Sequence, residues 1–291
     1  MIGISLAGGA TLLGGAWIET ESPVSPSPYI GLDWFVLDLL VMALLFMPLE
    51  RLRPLNASQP ILRLGFRTDL LHFFASHLLV GVTLFLTMAP AVWAFGGIVD
   101  TGLQARVAAQ PVALQVIEAM ILADIFQYAI HRAFHRIPFL WRFHQIHHSS
   151  EAMDWLAGSR LHLVDIVVTR AIAFVPLFAM GFSERALEVY LVLIAVHAVL
   201  NHANVDVELR PLRWILTTPR YHHWHHTAEA HALDRNFAAQ IPAIDWIFGT
   251  AYQPDAWPLH YGLASGSAPK GWWQQTIKPF RRVSGLDRSL D

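Results

Sequence analysis

Long apolar runs separated by short polar stretches rich in Arg, His or Pro set the pattern of this chain. The first run, Leu32 to Leu49, stops at Glu50, Arg51, Arg53 and Pro54. It is only slightly short of the roughly 20 helical residues that cross a bilayer. A second extends from Leu70 to Phe95 and contains His72, His77 and Pro90. After a weakly charged linker over 96–111, a third run from Val112 to Ile130 leads straight into a histidine-rich segment. Leu163 to Met180 and Ala186 to Val199 make two further apolar helices. Only GFSER joins them, a connection short enough to demand an antiparallel hairpin. The expected fold is all-α: a polytopic membrane protein of about four to five transmembrane helices.

Composition strengthens that reading. Hydrophobic residues make up 54% of the chain and charged ones 14%, against about 25% charged in an average soluble domain. A net charge of −2 and the lack of a dense Lys/Arg block argue against a nucleic-acid partner. With no cysteine, disulfides, thiolate metal sites and a cysteine nucleophile are excluded.

The basic residues then orient the chain. Arg51, Arg53, Arg63 and Arg67 follow the first run, Arg132, Arg136, Arg142 and Arg160 follow the third, and Arg210, Arg213, Arg220, Arg235, Arg281 and Arg282 follow the hairpin. All three sets belong on the cytoplasmic side, which puts the N-terminus outside. Arg185, in the hairpin turn, faces away from the cytoplasm in this arrangement. Lysine occurs only at Lys270 and Lys278, an Arg bias that suggests a bacterial source and hence a bacterial inner membrane.

Four sections are expected: an extramembrane N-terminal tail over 1–30, N-terminal transmembrane helices over 31–111, a core over 112–252, and an interfacial C-terminal tail over 253–291 carrying Trp272 and Trp273. The tail begins without Lys or Arg, unlike a secretory signal.

Histidine is the outlier, with 16 copies. His131 and His135 stand four apart, one turn from each other on a helix face. His144, His147 and His148 are spaced three and four apart, and His222, His225 and His226 repeat that spacing. Eight imidazoles on three short helical segments exceed the four that a structural zinc uses, so two metal ions are expected in a helical cap on the cytoplasmic side. Histidines that merely snorkel at the lipid surface or cap helix ends would not need paired spacings.

Other polar residues fall near these groups. Asp124, Gln127, Tyr128, His131 and His135 form one stripe along the third run, and an intramembrane carboxylate such as Asp124 is placed to hydrogen-bond a ligand imidazole. His162, with Asp165 one turn on, is a candidate ligand or supporting residue. His197 and His202, five apart, cannot both face one centre on a straight helix. His202, nearer the cytoplasmic end, is favoured, with His197 as a buried polar partner. Among the remaining histidines, which show no supporting pattern, His231 is the first to test.

HRAFH, HQIHH and HHWHH, together with DRNFAAQIPAIDWIFGTAY, resemble the fatty acid hydroxylase and sterol desaturase superfamily of membrane di-iron oxygenases. The resemblance covers about Val112 to Tyr252. It implies that His131, His135, His144, His147, His148, His222, His225 and His226 bind two iron ions, with His202 as the extra ligand before the last box. Asp234, Asn236, Asp245, Gly249 and Thr250 match the closing segment, where the family uses them structurally or in support of the ligands. The implied activity is O2-dependent hydroxylation of a lipid C–H bond on a fatty acyl, sterol-like or polyprenoid substrate. Desaturation and ether-lipid oxidation use the same kind of site. No cytochrome-like module precedes the core, so the implied electron donor is a separate protein of ferredoxin or cytochrome type. A non-redox protein that binds zinc or transports a metal is the competing expectation, although a transporter places its ligands near mid-membrane rather than at helix ends.

Overall fold

The computed structural model describes residues 32–78, 93, 96–97, 99–207 and 210–281. The N-terminal tail, most of the second apolar run and positions 282–291 lie outside the described residues, and so do the expectations placed on them.

The first run becomes α1, Leu32–Leu52, which continues through Pro48 past the expected stop. Its 21 residues span about 31 Å. Leu40, Leu44 and Leu45 face outward, while Met42 and Phe46 are buried. α2, Phe66–Leu78, follows. The linker expected over 96–111 holds a short helix, α3, Thr101–Ala108, started by the Asp100 carboxylate, which accepts from the amides of Gly102 and Leu103 at 2.8 and 3.0 Å.

α4, Val112–Arg136, extends the third run by six residues and so carries His131 and His135 in its last turns. It ends at Ile137, whose extended backbone turns the chain into α5, Pro138–His144, with Pro138 opening the helix. α6, Leu163–Met180, and α7, Glu184–His202, form the expected hairpin. Gly181 closes α6 at φ 70°, where an added Cβ would also lie 2.5 Å from Gln104 on α3. Ser183 caps α7 through the Ala186 amide.

Among the described residues, α4, α6 and α7 are long and apolar enough to cross a membrane, and there is no strand beyond two isolated bridges. The three helices meet around Ala119, Ala123, Ala173 and Ala186. Such small side chains let backbones approach closely, the contact on which helix packing in lipid relies. Ile117, Ile121, Val192 and Leu193 stay exposed on the outer faces.

At the histidine end a second core of Met42, Phe46, Phe73, Trp155, Leu156 and Val205 packs α1, α2 and the 153–157 loop against the end of α7. A buried ion network braces the same region. Arg63 binds Asp154 through two contacts of 2.6 and 2.7 Å and Asp69 at 2.7 Å, and Arg160 joins Asp69 from the other side. Arg63 and Arg160 were expected only as cytoplasmic basic residues, yet both are buried, as is Asp69 between them.

Candidate metal centre

Five chain segments converge where the helices end. α4 delivers His131 and His135, α5 delivers His144 from its last residue, and a 3-10 turn over His147–Ser149 delivers His147 and His148. His202 is the last residue of α7. A short helix, α8, Pro219–His225, started by the Thr218 hydroxyl, brings His222 and His225, with His226 just beyond its end.

The imidazoles sort into two groups: His131, His135, His144, His148 and His225, and His147, His202, His222 and His226. Within each group the candidate donor atoms all lie within 4.8 Å of one another. The helix ends at His144, so the triplet 144, 147, 148 does not share one helical face as its spacing predicts. Instead His147 turns to the second group and His148 to the first. The triplet 222, 225, 226 divides in the same way.

Hydrogen bonds fix the ring orientation. The Nδ1 atoms of His131, His147, His202 and His225 lie 2.7–3.2 Å from the carbonyls of Phe237, Arg160, Ala198 and Arg235. Those of His144 and His135 lie 2.7 and 3.1 Å from the carboxylates of Asp165 and Asp234. Each of these oxygens can only accept, so Nδ1 holds the proton and a neutral ring leaves Nε2 a bare lone pair. Yet Nε2 of His131 faces Nε2 of His144 at 3.1 Å, and Nε2 of His147 faces Nε2 of His202 at 3.4 Å. Two lone pairs repel at that distance unless a cation lies between them. Among the described residues, the Nε2 atoms of His135 and His225 are buried with no hydrogen-bond partner.

Across both groups the Nε2 contacts run from 3.0 to 3.4 Å. Donors sharing one ion at about 2.0–2.1 Å stand about 2.9–3.4 Å apart, so the donor set fits two metal ions. Burial, reinforced by neighbouring imidazoles, pushes His147, His148, His222 and His226 well below the ordinary imidazole range, as burial and His131 do for His225. These rings are therefore neutral at pH 7, the state that ligates metal.

Residues 116–250 match the fatty acid hydroxylase family model. The chain is 33% identical to an ornithine lipid hydroxylase of Rhizobium tropici, over 59% of this chain and 52% of that protein. It is 32% identical to human alkylglycerol monooxygenase, over 50% of this chain and 32% of the relative. Residues 116–250 thus form a domain of the fatty acid hydroxylase and sterol desaturase superfamily. A very-long-chain aldehyde decarbonylase of rice is 31% identical over 48% of the chain and 23% of that protein. The chain thus spans about half the length of the first of these curated relatives and less of the others. No solved structure matches it.

Within the hydroxylase domain the closing segment has a definite task. Asp234 and Asn236 adopt left-handed backbone conformations, φ 56° and 59°. That turn presents the Asp234 carboxylate to His135, the Arg235 carbonyl to His225 and the Phe237 carbonyl to His131. Asn236 locks it by bonding the carbonyls of Tyr221 and Tyr252 and the Tyr252 amide. Two buried carboxylates hold the next stretch. Asp245 accepts from the amides of Phe237 and Ala238 and from the hydroxyls of Tyr221 and Thr250.

Asp124 accepts from the amides of Ala239, Gln240 and Ile241, and this corrects the expectation that it bonds a ligand imidazole. Its position on α4 aims it at the closing loop one to two turns away from the rings. Three other candidate histidines stand outside both groups. His162 caps α6 through the Val164 amide and bonds the Thr276 carbonyl, His197 bonds the Thr217 carbonyl, and His231 is an exposed side chain beside Glu229. Asp165 supports a ring, as noted, and also receives the Thr169 hydroxyl.

Gly158 carried no signal in the sequence. A Cβ there would sit 2.9 Å from Nδ1 of His202 and 3.1 Å from its Cγ. Gly158→Ala is expected to push that ring off the Ala198 carbonyl and lower the metal content of dialysed protein from about two ions towards one, measured by elemental analysis. Two ions retained would show that the 157–159 loop yields instead.

Proposed function

We propose that this chain is a membrane-bound di-iron oxygenase that hydroxylates a C–H bond of a lipid: R–H, O2, two electrons and two protons give R–OH and water. The observation that carries the reading is the pair of imidazole groups with opposed Nε2 lone pairs, opening on one cavity. That cavity measures about 240 Å³, far above the about 10–15 Å³ that one water needs by the same measure. His131, His144, His147, His202 and His222 reach it, and Phe134, Leu161, Ile166 and Ala198 supply apolar wall.

When bound, iron supplies the O2 activation and electron storage that no side chain offers. The chain supplies the rest. Carbonyls and carboxylates hold the Nδ1 protons, so every bonded ring presents Nε2 inward. Asp165 and Asp234, facing His144 and His135, make those rings stronger donors. The apolar wall excludes bulk water and aligns a hydrocarbon segment against the histidines. Electrons come from a separate donor of ferredoxin or cytochrome type.

Oxidation of an ether lipid is the second reading, supported by the likeness to alkylglycerol monooxygenase. Mass spectrometry of lipids from cells grown under 18O2 separates the two, since a stable hydroxyl product keeps one labelled oxygen while ether oxidation ends in an aldehyde and a free alcohol. Purified protein should contain about two irons per chain; one zinc and no iron would sink the oxygenase reading.

Four to five spans with the histidines on the cytoplasmic side of a bacterial inner membrane complete the proposal. α1 together with α4, α6 and α7 supports it, as does the Arg distribution. A single cysteine introduced at Asp255 should react only with reagent supplied from the cytoplasm, and labelling from outside would reverse the topology.

A further inference from the structure

The nine imidazoles of the two groups are covered in two different ways. His131, His144, His147, His202 and His222 reach the cavity. His135 and His148, both of the first group, are not among its lining residues. An indole lies against that pair instead. The Trp141 ring stands 5.1 Å from the His135 ring and 5.5 Å from the His148 ring, centre to centre. Trp141 is partly exposed. His135 is the one residue of the nine that is not fully buried, and the side chain of its Nδ1 partner, Asp234, is 39% exposed. The first group therefore approaches the protein surface beneath Trp141 and Asp234.

Phe134 and Phe237 also touch rings of this group, but both are fully buried. Among the described residues, Trp141 is thus the aromatic side chain other than histidine that joins a ring of the groups to the surface. That contact matters because the oxidation consumes two electrons from outside the chain. Electron transfer through protein slows steeply with distance, so a carrier has to bring its cofactor close to the metal-binding rings. The cavity offers it no approach, since that space is needed for the lipid. Trp141 lies on α5, directly after the end of α4 that the topology above assigns to the cytoplasm. Ile137 and Phe139, at the start of the same helix, are exposed apolar side chains. Redox partners meet over small interfaces, below about 1,200 Å² in total, so a patch of this kind is sufficient.

We propose that Trp141 is the point of electron entry: a small soluble protein with a one-electron cofactor docks over the indole, and its electrons pass through Trp141 and the His135 and His148 rings to the first group. The inference rests on the oxygenase reading for the need of electrons, and on the place of Trp141 for their route. Two carrier molecules, each oxidised by one electron, deliver the two electrons that R–H and O2 consume together with two protons. The indole itself undergoes no net change. Substrate and electrons then arrive through different faces of the site, so a bound lipid does not block the carrier.

The test mixes purified iron-loaded full-length protein, without oxygen, with a reduced soluble [2Fe–2S] ferredoxin or a reduced soluble b-type cytochrome. Stopped-flow absorbance follows oxidation of the carrier. Dithionite, a small reductant that needs no docking, serves as the comparison. Wild type should oxidise at least one carrier, and Trp141→Leu should lower that second-order rate constant at least about tenfold, with iron content and the dithionite rate kept within about twofold. A merely structural role for Trp141 would move all three together. The absence of cysteine from the chain permits a second arm. Ile137→Cys places one attachment point a turn before Trp141, whose amide donates to the Ile137 carbonyl at 2.9 Å. A polyethylene glycol maleimide there should slow the carrier at least about tenfold relative to the unlabelled variant and spare dithionite, a result that stands even if Trp141→Leu does not fold. A carrier rate unchanged in Trp141→Leu or under the label would overturn the proposal. So would a wild type that takes electrons from dithionite but from neither carrier. Failure of the oxygenase reading has a separate signature, because wild type would then take no electrons even from dithionite, and the proposal would fall with it.

Discussion

Replacing His225 with alanine is expected to lower lipid oxidation by more than about a hundredfold and to leave the protein with about one metal ion, while membrane insertion is unchanged. The reason is the partition of the rings. His225 belongs with His131, His135, His144 and His148, whereas His147 belongs with His202, His222 and His226. Paired variants sharpen this. His148→Ala added to His225→Ala removes a second donor from a group already broken, and metal content should stay near one. His147→Ala added to His225→Ala damages both groups and should bring it near zero. Elemental analysis of dialysed protein reads both outcomes. Equal metal loss in the two double variants would mean that the imidazoles act as one site.

The second large effect is on stability. Asp69 is fully buried between Arg63 and Arg160, and Arg63 is also bound to Asp154. Asp69→Ala leaves two buried guanidinium groups short of their shared counter-charge, a kind of loss that costs about 3–5 kcal/mol. The damage reaches the site, because the Arg160 carbonyl is the acceptor for Nδ1 of His147. Unfolding of the detergent-solubilised protein should show a loss of that size, with the second metal group weakened as well. Arg213→Ala is the control. Arg213 meets an exposed Asp255 at 3.4 Å, an ion pair on the surface worth at most about 1 kcal/mol. A small effect for Asp69→Ala, comparable to that control, would show that the network tolerates an unpaired charge.

Much of this was legible in the residues. Apolar runs of sufficient length predicted α1, α4, α6 and α7, and the brevity of GFSER predicted the α6–α7 hairpin. Histidine spacing predicted which segments carry clustered imidazoles, and the five-residue step between His197 and His202 separated one that joins a group from one that bonds the Thr217 carbonyl. The α3 helix escaped because eight residues of low hydropathy leave almost no periodic signal, while its start rests on a single Asp100 cap. Asp124 was correctly placed on the polar stripe but assigned the wrong partner, since side-chain periodicity says which face a residue occupies and nothing about the loop that will pack on it.

What the sequence determined by itself is local: helix lengths, the apolar composition that favours lipid, and the histidines within each segment, all set by side-chain hydropathy and by the 3.6-residue turn. Only the tertiary structure decided how the rings divide. His144 ends α5 and the chain turns before His147, so neighbours in sequence point to different groups while His131 and His225 come together across nearly a hundred residues. The acceptors that fix each ring are mostly backbone carbonyls, at Arg160, Ala198, Arg235 and Phe237, which every residue type carries alike. Their role depends on where packing puts the chain, through contacts between segments far apart in sequence that no local pattern encodes.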